Sequence, residues 1–141
     1  MSSDNIQGLE TLEAWKKAKS FALAVYKDAL PCLPPTEKWG LEQQIRRSAQ
    51  SIPANIAEGH GRFHYQENIQ FLRQARGSLE ELLDDINICI DENYGEVIML
   101  DALKQEGWEL LKKLNGYIKY LRKCKAEDAG EKQFNNLPIT I

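Results

Sequence analysis

The stretch Ile69-Gln70-Phe71-Leu72-Arg73-Gln74-Ala75-Arg76-Gly77-Ser78-Leu79-Glu80-Glu81-Leu82-Leu83-Asp84-Asp85-Ile86-Asn87-Ile88-Cys89-Ile90 decides the fold class. Ile69, Leu72, Leu79, Leu83, Ile86 and Ile90 recur at steps of three, four and seven, which places them on one face of an α-helix. The period is too long for a strand, and the run holds no proline. It predicts a helix over about residues 63–93, ended by Tyr94-Gly95.

Working outward, the same pattern recurs on both sides. Val97, Leu100, Leu103, Leu111, Leu114, Ile118 and Leu121 predict a helix over about 96–123. Leu41, Ile45, Ala49, Ile52 and Ile56 predict one over about 36–58, with Thr36 as N-cap and Gly59 as a left-handed stop. Pro53 lies inside it and predicts a kink or restart near Ser51. Leu12, Trp15, Ala18, Ala22, Val25 and Ala29 predict a first helix over about 8–30. Pro31, Pro34 and Pro35 forbid its continuation, since proline lacks the amide donor. No segment alternates at period two. Four amphipathic helices with short connections mean an all-α, antiparallel up-down-up-down four-helix bundle. Residues 1–125 read as one domain and 126–141, polar and closed by Asn135-Asn136-Leu137-Pro138, as a flexible tail.

Composition narrows the class further. At 141 residues, 43% hydrophobic and 28% charged, the chain is globular and long enough for one core. No apolar run reaches the roughly 18 residues of a membrane span, and Met1-Ser2-Ser3-Asp4-Asn5-Ile6 does not open like an export signal. Cys32, Cys89 and Cys124 are odd in number and far apart, which fits reduced thiols in a cytoplasm. Eighteen bases against 21 acids give a net charge of −3, which excludes a generic basic coat for nucleic acid but allows a local patch.

The string Gln44-Ile45-Arg46-Arg47-Ser48-Ala49-Gln50-Ser51-Ile52-Pro53-Ala54-Asn55-Ile56-Ala57-Glu58-Gly59 resembles the signature of the four-helix-bundle proteins encoded in intervening sequences of bacterial large-subunit ribosomal RNA genes. Phe71-Leu72-Arg73-Gln74-Ala75-Arg76-Gly77-Ser78-Leu79-Glu80-Glu81-Leu82 is similar to that family's third helix, and Trp15-x-x-Ala18 with Val25-Tyr26 to its first. The resemblance covers roughly residues 9–124. It departs at the tail and at Arg76, where a smaller or polar residue is more usual. It implies a homopentameric barrel without enzymatic activity or cofactor. It also implies kinship with the accessory variability determinant of diversity-generating retroelements, a barrel that binds a reverse transcriptase and nucleic acid.

Charge order adds an independent reading. Arg46, Arg47, Arg62, Arg73 and Arg76 are five of the six arginines. From Glu80 to Asp101 there are eight acids and no base, and from Lys112 to Lys125 six bases and no acid. In an antiparallel bundle Lys16, Lys17, Lys19, Arg62, Lys119, Arg122, Lys123 and Lys125 then gather at one pole. Arg46, Arg47, Arg73 and Arg76 fall nearer the waist, and the acids at the other pole. The candidate sites for RNA, DNA or a nucleic-acid-processing partner are therefore Arg46, Arg47, Arg62, Arg73, Arg76, Lys119, Arg122 and Lys123, since arginine makes forked contacts with phosphate. The plainer alternative is a structural or protein-interaction bundle whose charges solvate helix faces or guide assembly.

No catalytic constellation appears. His60 and His64 are four apart, but Gly59 and Gly61 put them at a turn, where a zinc site with Glu58 or Glu67 is less expected than two exposed loop histidines. There are no Glu-x-x-His pairs for a di-iron centre, no phosphate-cradling glycine loop and no Cys-x-x-Cys. Asn55 and Glu58 are expected to satisfy backbone groups freed by Pro53 or to tie the turn at Gly59. The alternative is a polar site with Arg46 or Arg62 as partner to Glu58. Gly77-Ser78 in mid-helix is expected to mark a close helix approach. Trp15 reads as core. Trp39, Phe63, Tyr65, Trp108, Tyr117 and Tyr120 read as interface or packing aromatics, with Phe63 and Tyr65 beside Arg62 as a less expected base-stacking pair.

Overall fold

Apolar residues spaced three and four apart must be covered, and four such stripes cover one another here. The computed structural model describes residues 12–135. Among these are four α-helices and no strand: α1 (Glu13–Ala24), α2 (Leu41–His60), α3 (Tyr65–Asp91) and α4 (Val97–Asn135). α2 packs on α1 and α3, α3 on α4, and α4 closes back onto α1, so the chain goes up, down, up and down around one core.

Helix α1 does not stop at Ala24. It passes through a wider π turn at Val25–Ala29 and a tighter 3-10 turn at Leu30–Cys32, and Leu33 is then extended. Pro31 sits in that last turn, where a missing amide costs least. Residues 8–11 of the expected first helix lie outside the described residues.

Helix α2 begins later than expected. Pro35–Glu37 forms a separate 3-10 turn and Gly40 precedes the helix, so Thr36 is not its cap. Leu41, first member of the apolar stripe, is where burial begins to reward helical phase. Pro53 neither ends nor restarts α2, which stays helical to His60. Gly59 is not a left-handed stop either; among the described glycines only Gly95 has positive φ.

The α3–α4 turn follows the expected site closely. Asn93 adopts the left-handed conformation (φ 60°), its amide donates to Ile90 O, and Tyr94 N donates to Cys89 O at 2.8 Å. That pair of bonds is a Schellman ending.

Helix α4 runs past its expected end at 123, and the segment from 126 expected to be loose is helical as far as Asn135. Ala, Glu, Lys and Gln in that segment favour helix and outweigh Gly130, and the first proline is Pro138. Residues 136–141 lie outside the described residues.

The core follows the sequence stripes. Ile45, Ala49, Ile52, Ile56, Leu72, Leu79, Ile86, Leu100 and Leu114 are fully buried. Phe21, Leu82, Cys89 and Leu110 join them, whereas Val97, expected inside, is exposed. Two glycines let the helices approach. A Cβ at Gly59 would stand 2.7 Å from Asn68 Oδ1 and 2.9 Å from Phe71 Cβ, and one at Gly107 would stand 2.6 Å from Leu83 Cδ2. Gly77 is the reverse of what was expected, for a Cβ there meets nothing within 4 Å.

Candidate nucleic-acid interface

The hydroxyl of Ser51 joins the two signature strings. Ser78 Oγ donates to Ser51 Oγ at 2.8 Å, so the Gly77-Ser78 step does serve the α2–α3 contact, through the serine. Asn55 Nδ2 donates to both the carbonyl and the hydroxyl of Ser51, each at 2.9 Å. Asn55 thus serves a backbone group near Pro53. It is not the one proline strips of its donor, which is the carbonyl four residues before it. Loss of the Ser51–Ser78 bond through Ser78→Ala is expected to cost about 1 kcal/mol in urea denaturation, as for a part-buried neutral hydrogen bond.

The eight basic candidates do not form one patch. Arg46 lies over the ring of Tyr26, 5.8 Å from its centroid, and 3.9 Å from Glu42. Arg47 lines a cleft between α2 and α3 with Gln44, Ser48, Glu81, Asp84, Asp85 and Ile88, so it belongs to the acidic half of the bundle. Arg62 is taken up at the α2–α3 turn. It meets Glu58 at 2.6 Å and Glu67 at 4.0 Å, and its guanidinium lies 5.0 Å above the ring of Phe71. Glu58 therefore has one of the two partners anticipated for it. Phe63 and Tyr65 remain exposed beside a neutralised arginine, with Phe63 edge-on to His64.

The lysines of α1 also fail to join the basic pole. Lys113 pairs with Glu13 at 2.5 Å, and this holds the Glu13 carboxyl below its ordinary range. Lys125 donates to Gln66 Oε1, also at 2.5 Å, and lies roughly 18 Å further along α4 at about 1.5 Å per residue. Lys16, Lys17 and Lys19 follow Glu13 in the opposite direction, so they stand well away from Lys119, Arg122 and Lys123. The pole also carries Glu58, Glu67, Glu127 and Asp128. The expected basic pole is therefore mixed in charge, and Arg47 stands among acids of the other half.

A smaller cluster is left. Arg76 Nη1 donates to Asn115 Oδ1 at 2.9 Å, which fixes the register of α3 on α4. Arg73 lies one turn from Arg76. Lys119 and Arg122 follow Asn115 at helical spacing on the same face of α4. Arg73 thus shares a face of α3 with Arg76, Lys119 and Arg122 share a face of α4 with Asn115, and Lys119, Arg122 and Lys123 are exposed. Among the described residues none of these five has a carboxylate within 4 Å. Charge order alone could not separate them from Arg46, Arg47 and Arg62. The separating signal is which neighbours are acids across the helix contact.

Among the described residues no group of three or more His, Cys, Asp or Glu is disposed to hold a metal ion. Burial pushes the Cys89 thiol up to about 11, which keeps it protonated and unreactive. No helix among these residues is long and apolar enough to cross a membrane.

Comparison with known proteins agrees with this architecture. No curated protein matches the chain. A crystal structure at 1.70 Å, described as a protein with unknown function from the S23 ribosomal protein family of Bacteroides thetaiotaomicron VPI-5482, superposes with a TM-score of 0.69 at 23% identity. The match covers 75% of this chain and 98% of that one, and at this identity it supports the fold alone. The model of the family described as 23S rRNA-intervening sequence protein matches residues 10–116, spanning the first three helices and half of α4. Neither description names a catalytic activity. With the family's model covering most of the bundle, the chain belongs to the 23S rRNA-intervening sequence protein family.

Proposed function

We propose that this chain is a non-enzymatic, homo-oligomeric binding module that grips the phosphate backbone of RNA through its α3–α4 groove. The observation that carries this reading is the cluster of Arg73, Arg76, Lys119 and Arg122, whose one fixed polar contact is the neutral Asn115. Such side chains keep their charge available for phosphate, whereas Arg46, Arg47 and Arg62 face acids of their own chain. The exposed Trp39, Phe63, Ile98 and Trp108 supply apolar surface for assembly, and a pentamer is the expected size in light scattering. A DNA duplex or a reverse transcriptase is the runner-up occupant of the same groove. The free cysteines suit a reducing cytoplasm.

The test is fluorescence anisotropy with a labelled structured RNA at about 50 and 200 mM salt, a range over which several phosphate contacts give a steep response. Arg73→Glu with Arg122→Glu is expected to weaken binding by roughly tenfold or more and to reduce the salt slope by about two contacts. Arg46→Glu is expected to leave binding near wild type. Equal affinity for the groove variant and wild type sinks the proposal. Unchanged RNA retention together with an altered mass would favour the purely structural bundle.

A further inference from the structure

The end of the bundle that carries the α3–α4 turn presents apolar side chains to solvent. Cys32, in the last turn after α1, packs on that turn: a Cβ at Gly95 would stand 3.2 Å from Cys32 Sγ and 3.4 Å from Met99 Cε. The Tyr94 hydroxyl is held above its ordinary range by partial burial and by the Glu37 carboxylate, which places the loop before α2 beside the same turn. Leu33, Tyr94 and Met99 are half-buried against the core. Trp39, just before α2, and Ile98, in the first turn of α4, stand at this end 80% and 85% exposed, and Val97 is 50% exposed. Exposed apolar side chains gathered at one place mark a contact surface. Glu37, Asp91, Glu92, Glu96 and Asp101 belong to the same end, and among the described residues none of the five forms an ion pair. Against them stands Lys38, whose ammonium lies 5.3 Å from the centroid of the Trp39 ring.

We propose that this end face docks an amphipathic helix of a partner protein that carries lysine or arginine beside its apolar stripe. Three features select that occupant. The unpaired acids complement a basic partner and would steer its approach. Trp39, Val97 and Ile98 would take its apolar stripe, with Trp39 as the anchor. No strand occurs among the described residues, so the face offers no free backbone edge, and recognition falls to side chains, as when a helix is laid down by its apolar face. The sign of the charge is wrong for a nucleic acid. Trp108, part-way along α4, and Phe63, at the opposite end, lie away from this face, so a contact between copies through those two leaves it open.

The experiment is fluorescence anisotropy of the full chain with a labelled helical peptide of leucine and lysine in amphipathic order, at about 50 and 200 mM salt. Saturable binding is expected, weaker at the higher salt because exposed charges are screened. Trp39→Ser and Ile98→Ser should each weaken it roughly tenfold or more, as for a side chain that dominates an interface. Glu92→Lys with Glu96→Lys should also weaken it and flatten the salt response. Trp39 and Ile98 are exposed, so their variants are expected to melt like wild type in circular dichroism. Equal binding to wild type and to both serine variants overturns the proposal and marks diffuse attraction between charges only. Equal binding of the same peptide with glutamate in place of lysine overturns it too. So does a smaller mass for Ile98→Ser in light scattering, which would put a second copy of this chain on the face.

Discussion

Gly59→Ala is expected to destabilise the protein by about 1–3 kcal/mol, whereas the same change at Gly77 is expected to stabilise it by about 1 kcal/mol. Helix propensity alone gives both the same sign, since Gly59 lies in the last turn of α2 and Gly77 in the middle of α3, and alanine is the better helix former. The surroundings separate them. At Gly59 the new methyl would meet Asn68 Oδ1 at 2.7 Å, Phe71 Cβ at 2.9 Å and the Asn68 carbonyl at 3.1 Å. Phe71 Cβ and the carbonyl are fixed to the α3 backbone, and Asn68 is itself buried, so relief requires α2 and α3 to move apart. That disturbs the most extensive helix contact in the molecule. Gly77 faces open space. Urea denaturation of the two variants, analysed at constant m, checks both signs. A stable Gly59→Ala would mean that the close approach of α2 to α3 is not needed.

Asp85→Asn is expected to raise stability at pH 7 by about 1 kcal/mol, the pKa shift discounted for solvent screening of the carboxylate, and to flatten its pH dependence between about 4 and 6. Burial, with Asp84 and Glu81 adding like charge, raises the Asp85 carboxyl from 3.8 to about 6. The folded state therefore holds this proton more tightly than the unfolded state does. Below about 4 both states are protonated and Asp85 costs nothing. As pH rises through about 6 the folded state must carry a half-desolvated anion beside Asp84 and Glu81, and stability falls to a plateau. Glu13, held low by Lys113, acts in the opposite sense. The difference between wild type and Asp85→Asn therefore isolates Asp85. Parallel pH curves for the two proteins would refute this.

The bundle itself was legible because amphipathic periodicity is a local property. The stripes of α2 and α3 are buried almost residue for residue, since a helix with one apolar face has a single way to hide it. Breakers were legible in part. The α3–α4 turn follows from Asn93-Tyr94-Gly95, where local dihedral preferences decide the outcome. Thr36, Pro53 and Gly59 were misread because their consequences depend on neighbours. Packing against α3 holds α2 helical through Pro53, and Gly59 is small because Asn68 and Phe71 crowd it.

For the site, the positions of the charged residues could be read along the chain, but which of them meet a partner depends on how the helices pack. Arg62 and Arg76 are alike in sequence, but one is neutralised by Glu58 and the other donates to the neutral Asn115. Packing likewise brought Glu81, Asp84 and Asp85 beside Arg47, two helices whose order along the chain says nothing of their facing sides. Periodicity fixes what a helix buries, but electrostatics falls off with distance through space, and that distance is set by how the helices pack.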